Sequence, residues 1–150
     1  MCPVGEEVIG MTQSTGYAIT ALGHVASTGG KALFIKDIAE ATGLPHPYLA
    51  KIIHTLARRG VVVTRRGVGG GVALAREPKE ITLFDIAYAL DDPLLEERCM
   101  LGTAVCSDER ACPAHAFWTH HRKEQIDFLR TSTLADVAAF EVRQRDRSAA

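Results

Sequence analysis

The chain has no run of eighteen apolar residues, and its N-terminus has neither a basic start nor an apolar signal core. This leaves no candidate transmembrane helix and predicts a soluble, cytoplasmic protein. No nucleophile–base–orienter set is visible, and the one glycine-rich run does not stand ahead of a helix as a phosphate-binding loop would, so an enzyme is not expected. Acid is missing from one long stretch: between Ala41 and Arg76 there is no Asp or Glu, while Lys51, Arg58, Arg59, Arg65, Arg66 and Arg76 are basic. That local positive field is hidden by a formal net charge of -1, because the segment from Glu77 to Cys112 is acidic; the two segments are suited to different partners.

Cysteine is scarce but clustered. Of four, Cys2 stands apart, and Cys99, Cys106 and Cys112 are separated by six and then five residues, with His115 three beyond the last. In a reducing compartment such a group points to metal binding or redox sensing rather than to a structural disulfide. Three thiolates and an imidazole are soft to borderline donors that suit zinc, copper or an iron–sulfur cluster. A chain of 150 residues buries a core without staples, so the site is expected to do more than hold the fold. The competing reading is three idle thiols and a helix-capping histidine; the other histidines, including His24, His54, His120 and His121, read as surface or packing residues.

Hydrophobic periodicity predicts a mainly α fold with a small β-hairpin. Tyr17 to Ser27 carries Ile19, Leu22 and Ala26 on one helical face and ends in Thr-Gly-Gly. Phe34 to Ala41 is a short second helix stopped before Gly43, and a third opens at His46-Pro47 and closes at Gly60. In the third, Leu49, Ile52, Ile53 and Leu56 form the core stripe, while Lys51, His54 and Arg58 occupy another face. Val61 to Thr64 and Val72 to Leu74 read as two strands joined by Arg65-Arg66-Gly67-Val68-Gly69-Gly70-Gly71. A hairpin after a helix-turn-helix is a wing. Its glycines (Gly67, Gly69 and Gly70) let backbone approach a phosphate, and Arg65 and Arg66 suit a phosphate or a narrow minor groove. A merely solvated basic face is the bland alternative. Further on, Thr82 and Asp85 form a capping-box pattern before Leu83, Ile86 and Leu90. A long helix follows Pro113, and a last one opens at Thr133 with a polar tail expected to fray after Arg143. The long helix lacks an obvious intrachain partner for its apolar surface, so it is assigned to a homodimer interface.

Gly16-Tyr17-Ala18, Ile38-Ala39, Tyr48-Leu49 with Lys51-Ile52, Arg66-Gly67 with Gly69-Gly70-Gly71, the three cysteines and Cys112-Pro-Ala-His115-Ala-Phe-Trp118 together resemble the Rrf-two superfamily of winged-helix transcriptional regulators. Within it the resemblance is to the IscR- and NsrR-like iron–sulfur cluster regulators. It implies a homodimeric, double-stranded-DNA-binding regulator, read as a repressor, whose operator affinity is modulated by a cluster sensing redox state, iron or nitric oxide. The implied ligands are Cys99, Cys106, Cys112 and His115. Two departures bear on this. Six residues rather than the usual five lie between Cys99 and Cys106, and Gly16 stands where some nitric-oxide sensors of the family carry an acidic ligand. His115 therefore favours a 2Fe-2S over a 4Fe-4S cluster.

The expected organisation is a winged helix-turn-helix domain over 11–90, a cluster-binding loop over 91–115, and a dimerisation helix with a C-terminal helix over 114–143. Residues 1–10 and 144–150 are expected to be disordered, and Met11 is a second candidate initiator beside Met1. DNA contacts are expected from His46, Tyr48, Lys51, Thr55 and Arg58 on the third helix and from Arg65, Arg66, Gly67, Gly69 and Gly70 in the wing. The rivals are a structural zinc or a thiol redox switch in place of the cluster, a winged helix that binds protein, and, in another class, a small iron–sulfur electron-transfer protein.

Overall fold

The computed structural model describes residues 11–101 and 104–149; the expectations for Cys2, the leader and residue 150 lie outside the described residues. Helix α1 spans Gln13–Ser27 and starts earlier than Tyr17, because Thr12 caps it by accepting from the Thr15 backbone N–H. It buries Ala18, Ala21, Leu22 and Val25. Helix α2 (Ile35–Thr42) stops at Gly43, whose φ of 74° satisfies the left-handed cap. Helix α3 (His46–Arg58) follows and buries Leu49, Ile52, Ile53 and Leu56. Removing four such side chains from water contributes about 2 kcal/mol each, which is what seats the helix and turns its polar face outward.

Strands β1 (Val62–Arg65) and β2 (Gly71–Leu74) pair antiparallel from Val62↔Leu74 to Arg65↔Gly71. They begin one residue from the expected places. The N–H of Val61 turns back to the Leu56 carbonyl at 2.9 Å as α3 ends, so Val61 closes the helix instead of opening the strand. Leu33 bridges to Val72 on the other side. At Gly71, with φ of 122°, a Cβ would stand 2.5 Å from the Leu33 carbonyl oxygen, so this close approach requires glycine.

Helix α4 (Leu83–Ala89) has the full Thr82/Asp85 capping box. An irregular segment with short 3-10 turns at Pro93–Leu95 and Asp108–Arg110 leads to the long helix α5 (His115–Thr131) and then to α6 (Leu134–Ala149). Backbone bonds from Leu83 N–H to Ser132 and from Leu134 N–H to Ile81 fasten the α5–α6 junction beside α4. Helix α6 lies along α1, where Gly23 leaves room for Val137. The tail expected to fray after Arg143 is instead helical to Ala149. Its Gln, Arg and Ala residues favour helix, and Arg145 donates to the Ser27 carbonyl at 3.1 Å, tying it to the end of α1. The result is a winged helix-turn-helix, mainly helical, with a long helix leaving it. No helix among the described residues is long and apolar enough to cross a membrane.

Candidate DNA interface and ligand loop

The basic face is built by α3 and the wing. His46, Lys51 and Arg58 are exposed on α3, and Arg65 to Gly69 are exposed through the wing tip. Gly67 and Gly69 there have φ of 88° and 75°, while Gly70 turns inward and is buried. His46 and Arg65 line one cleft between the start of α3 and the wing, together with Lys36 at the start of α2. Lys36 was not among the expected contacts, because it lies ahead of the acid-free stretch; only the turn back from α2 to α3 brings it there. Two expected residues are partly committed elsewhere. The Thr55 hydroxyl donates to the Lys51 carbonyl at 3.2 Å. The Tyr48 hydroxyl shares a 2.6 Å hydrogen bond with Ser14, and its ring meets Tyr17 edge-on with centroids 5.6 Å apart. Arg59, beside the face, is paired with Asp91 at 2.8 Å.

The ligand loop has two short arms that pair antiparallel, followed by a turn. Arg98 and Val105 form an antiparallel bridge, with Cys99 N–H donating to Ala104 and Cys106 N–H to Glu97, each at 2.9 Å. In this register Cys99 and Cys106 are set diagonally across the two arms. The alternation of side chains along an extended backbone puts such a diagonal pair on one face. The backbone N–H of His115 donates to the Cys112 carbonyl at 2.9 Å, so Cys112 and His115 flank a single turn at the start of α5. Cys106 Sγ stands 3.3 Å from His115 Nδ1, and His115 Nε2 stands 2.9 Å from Asp108 Oδ1. With Asp108 beside Nε2, Nδ1 faces the sulfur, an arrangement like that in which a carboxylate orients a metal-binding histidine. Asp108 is not among the ligands expected from the sequence; its contact with His115 depends on the loop folding back over the helix start.

A sulfur and a nitrogen bound to one tetrahedral metal lie about 3.5 Å apart, given metal–ligand bonds of about 2.3 and 2.0–2.1 Å. The Cys106–His115 pair therefore fits as two ligands of one metal, and the donor set suits iron or zinc. Among the described residues, no three His, Cys, Asp or Glu side chains are drawn together into a metal-binding group. Cys99 is buried and Cys112 half-buried, and neither is in a disulfide. Across the loop, Trp118 donates its indole N–H to the Arg98 carbonyl at 2.7 Å and stacks on His121. A cleft of about 560 Å³ between α4 and α5 has Cys106 and His115 at one end and Arg122 and Arg130 along α5. Lys123, on the same wall, has its pKa raised by a hydrogen bond to Asp127 and by the nearby carboxylate charge.

The Rrf2 family model, described as "Iron-dependent Transcriptional regulator", matches residues 11–139. The chain belongs to the Rrf2 family. The Rrf2 protein is 40% identical over 128 residues to Protein aau3 of Rhizobium meliloti, covering 85% of this chain and 83% of that one. It is 31% identical over 130 residues to the HTH-type transcriptional regulator IscR of Klebsiella pneumoniae, covering 85% of this chain and 78% of that one. Among solved structures it is similar to CymR, the global cysteine regulator of B. subtilis, with a TM-score of 0.73 and 27% identity over 89% of this chain and 98% of that one. This Rrf2 protein is thus a DNA-binding transcriptional regulator, and its relatives are regulators rather than enzymes.

Proposed function

We propose that this Rrf2 protein is a homodimeric repressor whose operator affinity is set by an iron–sulfur cluster held by Cys99, Cys106, Cys112 and His115. The observation that carries the reading is the Cys106–His115–Asp108 arrangement, with 3.3 and 2.9 Å spacings: a thiol and an oriented imidazole at the separation of two ligands on one metal. Family membership and the likeness to IscR support iron over zinc. When bound, the cluster supplies a group whose loss or change of redox state alters the loop that its ligands span. The chain's own part is to seat Cys106 and His115 at the cleft between α4 and α5. A single histidine ligand favours the 2Fe-2S form.

On DNA, α3 lies in the major groove with His46, Lys51 and Thr55 toward bases or phosphates and Arg58 on the backbone. Arg65 and the glycine backbone at Gly67 and Gly69 follow phosphates, and Arg66 enters a narrow minor groove; Gly70, buried beneath the wing tip, is left out of that contact. Phe117 and Phe128, 62% and 60% exposed on α5, support the dimer, since a second copy would cover them. His121 Nε2 and Gln125 Oε1, one turn apart on the same helix, are buried without hydrogen-bond partners, and polar groups in that state are ordinarily satisfied by water or a partner.

The test is anaerobic purification followed by iron, sulfide and zinc analysis and an absorption spectrum. A brown protein with two irons and two sulfides per chain is expected; a colourless protein, with zinc or with no metal after reconstitution, overturns the cluster. A thiol switch is the second reading. It is favoured by the same 3.3 Å contact, which sets an imidazole beside a thiol, and by the likeness to CymR. Metal-free protein whose operator binding changes reversibly with oxidant, and recovers with reductant, would establish it.

A further inference from the structure

Thr15 and Asp92 are the buried polar residues among those described, with Asp92 only 3% exposed. A buried carboxylate is costly unless its lone pairs are filled, and those of Asp92 are. Its Oδ2 accepts from the Thr12 N–H at 2.9 Å, the Thr12 hydroxyl at 3.1 Å and the Thr15 hydroxyl at 2.6 Å. Its Oδ1 accepts from the Leu94 N–H at 2.9 Å, and its own N–H donates to the Ala87 carbonyl at 3.0 Å. One residue thereby joins the end of α4 through its backbone, and the start of the segment that runs to Cys99 and the first turn of α1 through its side chain. It sits at the N-terminal end of α1, where the helix dipole favours a negative charge.

The same turn of α1 has a second attachment. Ser14, between Thr12 and Thr15, holds the Tyr48 hydroxyl of α3 at 2.6 Å. The first turn of α1 is therefore held from two sides, by the ligand-loop segment through Asp92 and by the recognition helix through Tyr48. At the far side of the loop, the single tryptophan of the chain, Trp118, is hydrogen-bonded at 2.7 Å to the carbonyl of the residue that precedes Cys99.

We propose that Asp92 and Ser14 are positioning residues that couple the seat of α3 on DNA to the conformation of the ligand loop, and that Tyr48 belongs to this relay rather than to base reading. The inference deepens the reading of the loop as a sensor, but it concerns the connection and not the group the loop carries. Coupling is reciprocal: if the loop sets the seat of α3, then seating α3 on DNA must shift the loop. Trp118 reports that shift with no metal required.

The experiment titrates full-length reduced protein, as purified and again after chelation, with a duplex that the wild-type protein selects from a random library, and follows Trp118 emission. Wild-type emission is expected to shift on binding. Asp92→Asn, Ser14→Ala and Tyr48→Phe are expected to bind the duplex within about tenfold of wild type and to lose most of the shift. Variants that bind and retain the full shift overturn the proposal, as does a wild-type protein with no shift. Tyr48→Phe removes one hydroxyl and keeps the ring against Tyr17, so it decides the matter if Asp92→Asn fails to fold. A purely structural role would lower the unfolding midpoint and leave the Trp118 response intact. Iron and sulfide content of the same preparation judges the cluster separately, so a colourless protein with an intact relay leaves this inference standing.

Discussion

The winged region and the α5 arm obey different rules. Between Ala18 and Ala89 the chain buries a continuous core, with Leu22, Ile38, Leu49, Ile53, Leu56 and Ile86 all at 1% exposure or less. Helix α5 is 17 residues long and buries Leu129 alone, while Phe117, Phe128 and, in the loop before it, Leu101 and Val105 stand more than half exposed. Helix α6 returns to the first region by packing on α1. The winged region therefore carries its own stabilisation, while the loop and α5 leave large apolar side chains exposed. The winged region is held by its own packing; the proposed sensing region would be completed by the cluster and the second copy.

The largest expected effect tests the first half of that contrast. Ile53→Ala removes a side chain that is 1% exposed in α3 and should cost about 3 kcal/mol of unfolding free energy, read by urea denaturation. Phe117→Ser on α5, where the side chain is 62% exposed, should change monomer stability by less than about 0.5 kcal/mol. The same substitution, combined with Phe128→Ser, should dissociate the proposed dimer in sedimentation experiments. Equal destabilisation by Ile53→Ala and Phe117→Ser would end the distinction between the two regions.

Gly23→Ala probes the seam between them. The added Cβ would collide with Val137 of α6, and overpacking of this kind should cost about 2 kcal/mol. Loss of protection in amide exchange should be concentrated in α6. Val137→Ala in the same chain should restore most of the stability.

Arg66→Ala should leave folding unchanged, since the residue is exposed in the wing. Operator affinity should weaken about tenfold, which is about 1.4 kcal/mol, with a salt dependence shallower by about one unit of slope. Unchanged operator affinity would remove the wing from the DNA interface.

How much of this was legible beforehand divides along the same line. The stripe of Leu49, Ile52, Ile53 and Leu56, the Thr82/Asp85 box and the glycine-rich wing are local patterns, and each sits where periodicity and turn chemistry put it. What escaped was long-range. The role of Asp92 is hidden because its partners Thr12 and Thr15 lie 80 and 77 residues away. Tyr48 read as a DNA contact because nothing near it in sequence discloses that Ser14, 34 residues away, occupies its hydroxyl. Asp108 required the loop to fold over the start of α5. The last turns of α6 looked like a polar tail because their anchor, the Ser27 carbonyl, is 118 residues from Arg145.

The smallest effect concerns that α1–α6 seam. His24 on α1 has its pKa lowered from 6.5, first by burial and then by the charge of Arg145, against which Glu141 pulls upward. Its folded-state pKa lies below the unfolded value, so between the two the unfolded chain binds more protons and stability rises with pH. The contribution is complete above about pH 6.5 and is lost as pH falls toward the lowered folded value. His24→Asn should flatten that part of the pH–stability curve slightly, and Arg145→Gln should do so partly, by removing the second cause while leaving burial in place. The measurement is the difference between variant and wild-type curves. Identical curves would mean that α6 does not shield His24 in solution, and would weaken the placement of α6 against α1 on which the contrast with α5 depends.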